Sequence, residues 1–198
     1  MHIVGITGPS GSGKSLLGKY LSSKALPVIN ADEVYHSLLI PPSECLNKLR
    51  AAFGDDIFAE DGSLDRKKLA TIVFSDKSKL ALLNSTVLDV VLKETRQIIK
   101  QYETGGASVV FVDAPTLIES GFHKECNTVI SVIASKETRI ERIIARDNIT
   151  KEKAEERIFA QKSDDFYYSH SNFVIINDTT EESFLNEAQT VLKGIIDL

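Results

Sequence analysis

A chain of 198 residues that is 42% hydrophobic and 26% charged has the composition of one soluble globular domain with a sizeable core. Its net charge of −5 argues against a basic nucleic-acid-binding surface, so any anionic ligand must be met by a local positive site. Cys45 and Cys126 have neither metal nor disulfide spacing, and no segment reads as a signal peptide or membrane span, which predicts a cytoplasmic protein without nucleic-acid or membrane partners.

Residues 3–6 read as a short buried strand and residues 16–21 as a helix. Between them Gly8-Pro9-Ser10-Gly11-Ser12-Gly13-Lys14-Ser15 matches G-x-x-x-x-G-K-[ST], the P-loop pattern, in the strand-to-helix context that it requires. Gly8, Gly11 and Gly13 open backbone conformations closed to residues with a Cβ, so successive N–H groups can point at one anion. The helix N-terminus adds partial positive charge. Lys14 is expected to reach the β- and γ-phosphates, and the Ser15 hydroxyl to join a Mg²⁺ shell. The alternative is a Gly/Ser-rich surface turn.

A second strand is predicted over 27–30, ending at Ala31-Asp32-Glu33. Asp32 is either a carboxylate placed to take a proton from an incoming hydroxyl or the N-cap of a helix over 33–38. Pro41-Pro42 stops that helix, and Ser43 caps the next, through about Phe53. Residues 54–62 read as a polar turn, Asp65 caps a helix over 66–74, and residues 76–103 carry the longest helical pattern, closed by Gly105-Gly106. The third strand, 108–112, runs into Asp113-Ala114-Pro115. There Asp113 is either an acidic group on the metal or acceptor side, or a turn-starting residue. A fourth strand spans 128–134, and Ser135 caps a helix over 136–146. A charged, exposed helical stretch follows at 151–168, then a fifth strand at 173–176 and a final amphipathic helix after Thr180.

Arg139, Arg142 and Arg146 share one helical stripe at i, i+3 and i+7. Arg142 and Arg146 are the two expected to close over a triphosphate, while Arg139 is expected to extend a solvated face among the neighbouring glutamates. Short apolar strands alternating with helices predict a three-layer α/β/α P-loop fold with a five-stranded parallel sheet, its ligands at the carboxyl ends of the strands.

The sequence resembles the dephospho-CoA kinases of the nucleoside-monophosphate-kinase-like P-loop group over nearly its whole length. The likeness rests on Gly-Ile-Thr-Gly-x-x-Gly-Ser-Gly-Lys-Ser at 5–15, Ala31-Asp32, Asp61-Gly62-Ser63-Leu64-Asp65-Arg66 and Leu83-Asn84. It continues in Asp113 to Glu119, Arg146-Asp147, Arg157-Ile158 with Gln161, and Asn177. Asn30 stands where the family usually has Asp, Pro9-Ser10 where it has Gly-Ile, and Leu88-Asp89 where a His-Pro pair is common; the Gly after Asn177 is absent. The first and third of these departures fall on the acceptor side. The resemblance implies transfer of the ATP γ-phosphoryl group to the ribose 3′-hydroxyl of dephospho-CoA, the last step of coenzyme A biosynthesis. It implies Asp32 as base, a helical lid over about 139–168 carrying Arg146, a helical acceptor-side insertion over about 39–103, and a core of about 1–38, 104–138 and 170–198. Lys14 and Arg146 join Asp32 as catalytic candidates. Gly8, Gly11, Ser12, Gly13, Lys14, Ser15, Leu16, Arg142 and Asn177 are expected around ATP, Ser15 on Mg²⁺, and Asp32, Arg66, Asp113 and Pro115 around the acceptor. A monomer or weak homo-oligomer is expected. Alternatives are another nucleotide or nucleoside kinase of this fold, or a regulatory nucleotide-binding protein.

Overall fold

Strands and helices alternate as the hydrophobic pattern requires. The computed structural model describes residues 1–196. In chain order it has β1 (His2–Thr7), α1 (Lys14–Ser23), β2 (Val28–Asn30), α2 (Ala31–Ser37), α3 (Glu44–Phe53), α4 (Arg66–Phe74) and α5 (Lys77–Thr104). Then come β3 (Val109–Asp113), β4 (Thr128–Ile133), α6 (Lys136–Asp147), α7 (Lys151–Phe159), α8 (Asp164–Ser169), β5 (Phe173–Ile176) and α9 (Glu181–Ile196). The strand order is β2-β3-β1-β4-β5. β1 pairs in parallel with β3, Ile6 opposite Asp113, and with β4, Thr7 opposite Ser131. β4 pairs in parallel with β5, Ile133 opposite Ile176. Because β1 is central and the chain leaves it first toward β2 and later toward β4, the sheet reverses its winding beside β1, and ligands of such sheets bind at that point.

β3 and β4 are buried at every residue, as strands covered on both faces must be. On one face Val4, Ile6, Ile130 and Val132 pack with Leu17 and Leu21 of α1 and with Phe184, Ala188 and Leu192 of α9. Elsewhere Ile133 packs with Ile118 and with Tyr167 of α8. Contacts divide the chain into two units, Met1–Ile29 with Tyr102–Leu198, and Asn30–Gln101. The second has a core of its own, in which Leu46 and Leu49 of α3 meet Ile57, Leu69 and Val73 of α4, and Val90 of α5.

Two expectations need correction. The stretch 151–168 is two helices, broken over residues 160–163, and it is not a solvated face: Ala154 and Ile158, one turn apart, pack on Ile140 and Ile143, and Tyr167 is 3% exposed. The dense charge around these few apolar residues hides their stripe. Residues 54–62 are likewise more than a polar turn. Asp55–Ile57 forms a 3-10 turn, Ile57 is fully buried, and Phe58 bridges antiparallel to Leu64.

The cap of α2 is a third correction. The helix begins at Ala31, and the Asn30 side chain accepts from the N–H groups of Asp32 at 2.9 Å and Glu33 at 3.2 Å. Asp32 is therefore in the first turn and does not cap. Asn30→Ala should cost about 1 kcal/mol in chemical denaturation, while Asn30→Asp, an equally good cap, should leave stability nearly unchanged. Equal losses from both would show that the side-chain acceptor contributes nothing.

Candidate active site

The turn from β1 to α1 is shaped by three glycines with positive φ, Gly8 at 138°, Gly11 at 80° and Gly13 at 105°. A Cβ on Gly8 would overlap the Val132 carbonyl oxygen, and one on Gly13 would overlap the Asn177 side-chain amide. One on Gly11 would lie 2.9 Å from the Arg139 carbonyl oxygen. The loop can therefore lie directly on β4, on α6 and on the residue after β5.

Every carbonyl from Gly8 to Ser12 is held by a side chain. Lys14 Nζ donates to Gly8 O at 2.7 Å and to Pro9 O at 3.3 Å. Arg139 Nε donates to Ser10 O at 3.1 Å. Arg142 Nη1 donates to Gly11 O at 3.3 Å and Ser12 O at 3.4 Å, and Asn177 Nδ2 to Ser12 O at 2.9 Å. Arg142 Nη2 also donates to Asn177 Oδ1 at 3.3 Å, so these two side chains brace each other. In a trans peptide the N–H points opposite to the C=O, so holding the Ser10 and Ser12 oxygens against the protein turns the Gly11 and Gly13 amides the other way, while the Ser10 N–H goes to Gln161 Oε1 and the Ser12 N–H to Pro9 O. That is the geometry of an anion-binding concavity, reinforced by the start of α1. Ser12 Oγ is buried and has no hydrogen-bond partner among the described residues. An orphaned hydroxyl in such a cradle fits a phosphate-bearing ligand.

Three arginines reach the loop from one stripe of α6, and burial separates them. Arg139 is 4% exposed, which overturns its reading as part of a solvated face. Its guanidinium also donates to Gln161 Oε1 at 2.6 Å and lies 3.7 Å from the Asp164 carboxylate. Burial lowers its pKa, with Asp164 opposing. The signal was present in the sequence, since Arg139 shares its stripe with Arg142, but the glutamates beside it suggested solvent. Arg142 is half-buried. Arg146 is exposed, donating to Ser10 Oγ at 3.3 Å and to Asp147 at 2.7 and 2.9 Å. Asp147 also pairs with Arg157.

The other expected residues divide between the units. Asp113 ends β3, is 8% exposed, and lies near α1, where a Cβ on Gly18 would be 3.8 Å from its Oδ2. Gly18 is one turn beyond Ser15, whose side chain is exposed. Pro115 O accepts from Thr7 Oγ1 at 3.3 Å, which ties the turn after β3 to the end of β1. Leu16 commits its N–H to Gly13 O at 2.9 Å and its side chain to the core. Asp32 and Arg66 belong to the second unit, where both are exposed. Sequence reasoning missed Gln161 and Asp147 as contacts of this network, although both stand in motifs that carry the family likeness.

Fold and loop together place the chain among the small α/β proteins of the P-loop kind. The dephospho-CoA kinase family model matches residues 2–183. A dephospho-CoA kinase of Shouchella clausii is 33% identical over 189 residues, covering 96% of each chain, and one of Arabidopsis thaliana is 35% identical over 193 residues, covering 97% of this chain and 83% of its own. The crystal structure of TT1252 from Thermus thermophilus superposes with a TM-score of 0.81 at 28% identity, over 98% of this chain and 97% of that one. The chain belongs to the dephospho-CoA kinase family, transferases that use an alcohol group as acceptor.

Asp147 supplies a pH test of the arginine cluster. The Arg146 hydrogen bonds, with Arg157 adding to them, lower its carboxyl pKa from 3.8 to about 2. A depressed folded-state pKa means that the pairing stabilises fully above the ordinary carboxylate range and is lost as pH falls through about 2. An NMR titration should place the Asp147 midpoint near 2, and Arg146→Ala should move it back up toward 3.8. A wild-type midpoint already at the ordinary value would show that the pairing does not form in solution.

Proposed function

We propose that the chain transfers the γ-phosphoryl group of ATP to the ribose 3′-hydroxyl of dephospho-CoA, giving ADP and coenzyme A. The observation that carries this reading is the family match over residues 2–183, with the glycine-rich turn near its head. In this reading the loop from Gly8 to Ser15 cradles the nucleotide phosphates through its N–H side, with Leu16 adjoining it although its own N–H is bonded to Gly13 O, while Arg142 and Asn177 brace the loop from behind. Lys14 exchanges its contacts with the Gly8 and Pro9 carbonyls for the β- and γ-phosphates, and Arg146 offsets charge on the transferring group.

Mg²⁺, when bound, would supply charge neutralisation on the nucleotide phosphates. The Ser15 hydroxyl is the direct oxygen ligand that the chain offers, and Asp113 stands near α1 as an acidic neighbour. Among the described residues no group of three or more His, Cys, Asp or Glu forms a cage, which suits an ion held largely by phosphates and water.

Asp32 acts as base toward the acceptor, with Arg66, Asp113 and Pro115 on the acceptor side. The 3′-hydroxyl gives its proton to the Asp32 carboxylate as its oxygen bonds to phosphorus and the bond to the departing ADP oxygen breaks. Support for this role comes from the division of labour in α2: the carboxylate is exposed, and capping, the other work open to it, is done by Asn30. We further assign residues 39–103 to acceptor binding and 139–168 to a closing lid of one kinase domain, acting in the cytoplasm as a monomer or weak homo-oligomer.

Asp32→Asn should lower turnover with dephospho-CoA by about 10²- to 10⁴-fold, the worth of a positioned base. Its thermal unfolding should be unchanged, because the cap stays in place. The function itself is checked by coupled ADP release across a panel of nucleotides, nucleosides and dephospho-CoA, where dephospho-CoA alone should stimulate release. Stimulation by a different acceptor, or by none, overturns it.

A further inference from the structure

We infer that Gln161 is a positioning residue for the nucleotide: with Arg139 it closes a hydrogen-bonded ring around Ser10 that fixes two successive peptide planes at the entry to the 8–15 loop. The inference deepens the function proposed above and rests on it for the identity of the ligand.

The ring is read directly from distances. Gln161 Oε1 accepts from the Ser10 N–H at 3.2 Å and from Arg139 Nη2 at 2.6 Å, and Arg139 Nε returns to the Ser10 carbonyl oxygen at 3.1 Å. The Ser10 N–H belongs to the Pro9–Ser10 peptide and its carbonyl to the Ser10–Gly11 peptide, so both planes are held. The second plane also carries the Gly11 N–H, which points opposite to the clamped oxygen. Arg139 thus aims that amide, and Gln161 holds Arg139 and the preceding plane in register. Ser10 is engaged a third time, since its hydroxyl accepts from Arg146 Nη2 at 3.3 Å.

Burial makes the arrangement consequential. Arg139 is 4% exposed, and the carboxylate of Asp164 lies 3.7 Å from its guanidinium. The single Oε1 of Gln161 accepts from both donors. Removing it leaves a guanidinium N–H and a backbone N–H short of an acceptor, and the loop can then relax only by turning the planes that orient its amides. Gln161 lies in the break between α7 and α8, so this break is where the segment after α6 is pinned to the loop. Gln161 itself is not a catalytic residue, because it acts through Ser10 and Arg139.

The test measures ATP binding by calorimetry with Mg²⁺ and no acceptor, on the full chain and on Gln161→Ala, Gln161→Met and Gln161→Glu. Gln161→Ala should weaken ATP about tenfold, the size of one lost charge-assisted hydrogen bond. Gln161→Met keeps the volume without the acceptor and should behave alike, which covers an alanine variant that fails to fold. Gln161→Glu keeps an accepting oxygen and should stay within about threefold of wild type. In turnover assays the alanine or methionine variant should raise KM for ATP by the same factor and leave KM for dephospho-CoA unmoved. Wild-type ATP affinity in those variants, no recovery by Gln161→Glu, or equal rises in both KM values overturns the inference. A wild-type chain that binds ATP yet leaves dephospho-CoA untouched would overturn the function and leave this inference standing.

Discussion

The carbonyl oxygens of residues 8–12 are the groups on which the site depends. A glycine-rich turn is conformationally loose, and its amides can face one anion only if something holds their opposite ends. Here Lys14, Arg139, Arg142 and Asn177 do so, each from a different point along the chain. Three strands, β1, β4 and β5, have to be in register before those side chains can meet the loop. The sheet is therefore the support for a set of hydrogen bonds, and the positive charge that an acidic protein needs for a phosphate ligand is concentrated at this edge.

Much of this was legible beforehand, for reasons that can be named. The strands are short apolar runs flanked by turn residues, and their alternation with helices leaves few topologies open. The loop announces itself because three glycines and a lysine at fixed spacing have few other uses. The place of Arg139 on the stripe was legible, but its burial was not. Its stripe-mates Arg142 and Arg146 looked the same in sequence, and which of the three is buried depends on how α6 sits over the loop, a tertiary fact with no local signature. The same holds for Gln161, an uncharged residue in a helix break whose importance comes from a loop some 150 positions away.

Asn30 shows how a departure from a family pattern can be a substitution in kind. An aspartate and an asparagine cap a helix about equally well, so the backbone of α2 is indifferent to which one stands there. What changes is the charge two residues before Asp32. With a neutral cap, Asp32 and Glu33 carry all the negative charge in the first turn of the helix. The helix N-terminus stabilises that charge without having to share it with a third carboxylate.

The order of the strands constrains how the molecule comes into being. The central strand is made first, but its first sheet partner in the chain is Val109–Asp113, with His2 opposite Val109. Closing a loop of roughly a hundred residues costs about 4 kcal/mol in chain entropy before that pairing returns anything. The intervening residues 30–101 carry a hydrophobic core built from nearer neighbours. Condensing that core shortens the distance that the chain must span, so the inserted unit lowers the entropic barrier to the sheet that surrounds it in sequence. On the ribosome, an N-terminal strand emerges with its apolar side chains unpaired and stays so until β3 has been synthesised, a period in which premature pairing with another chain competes with the native register.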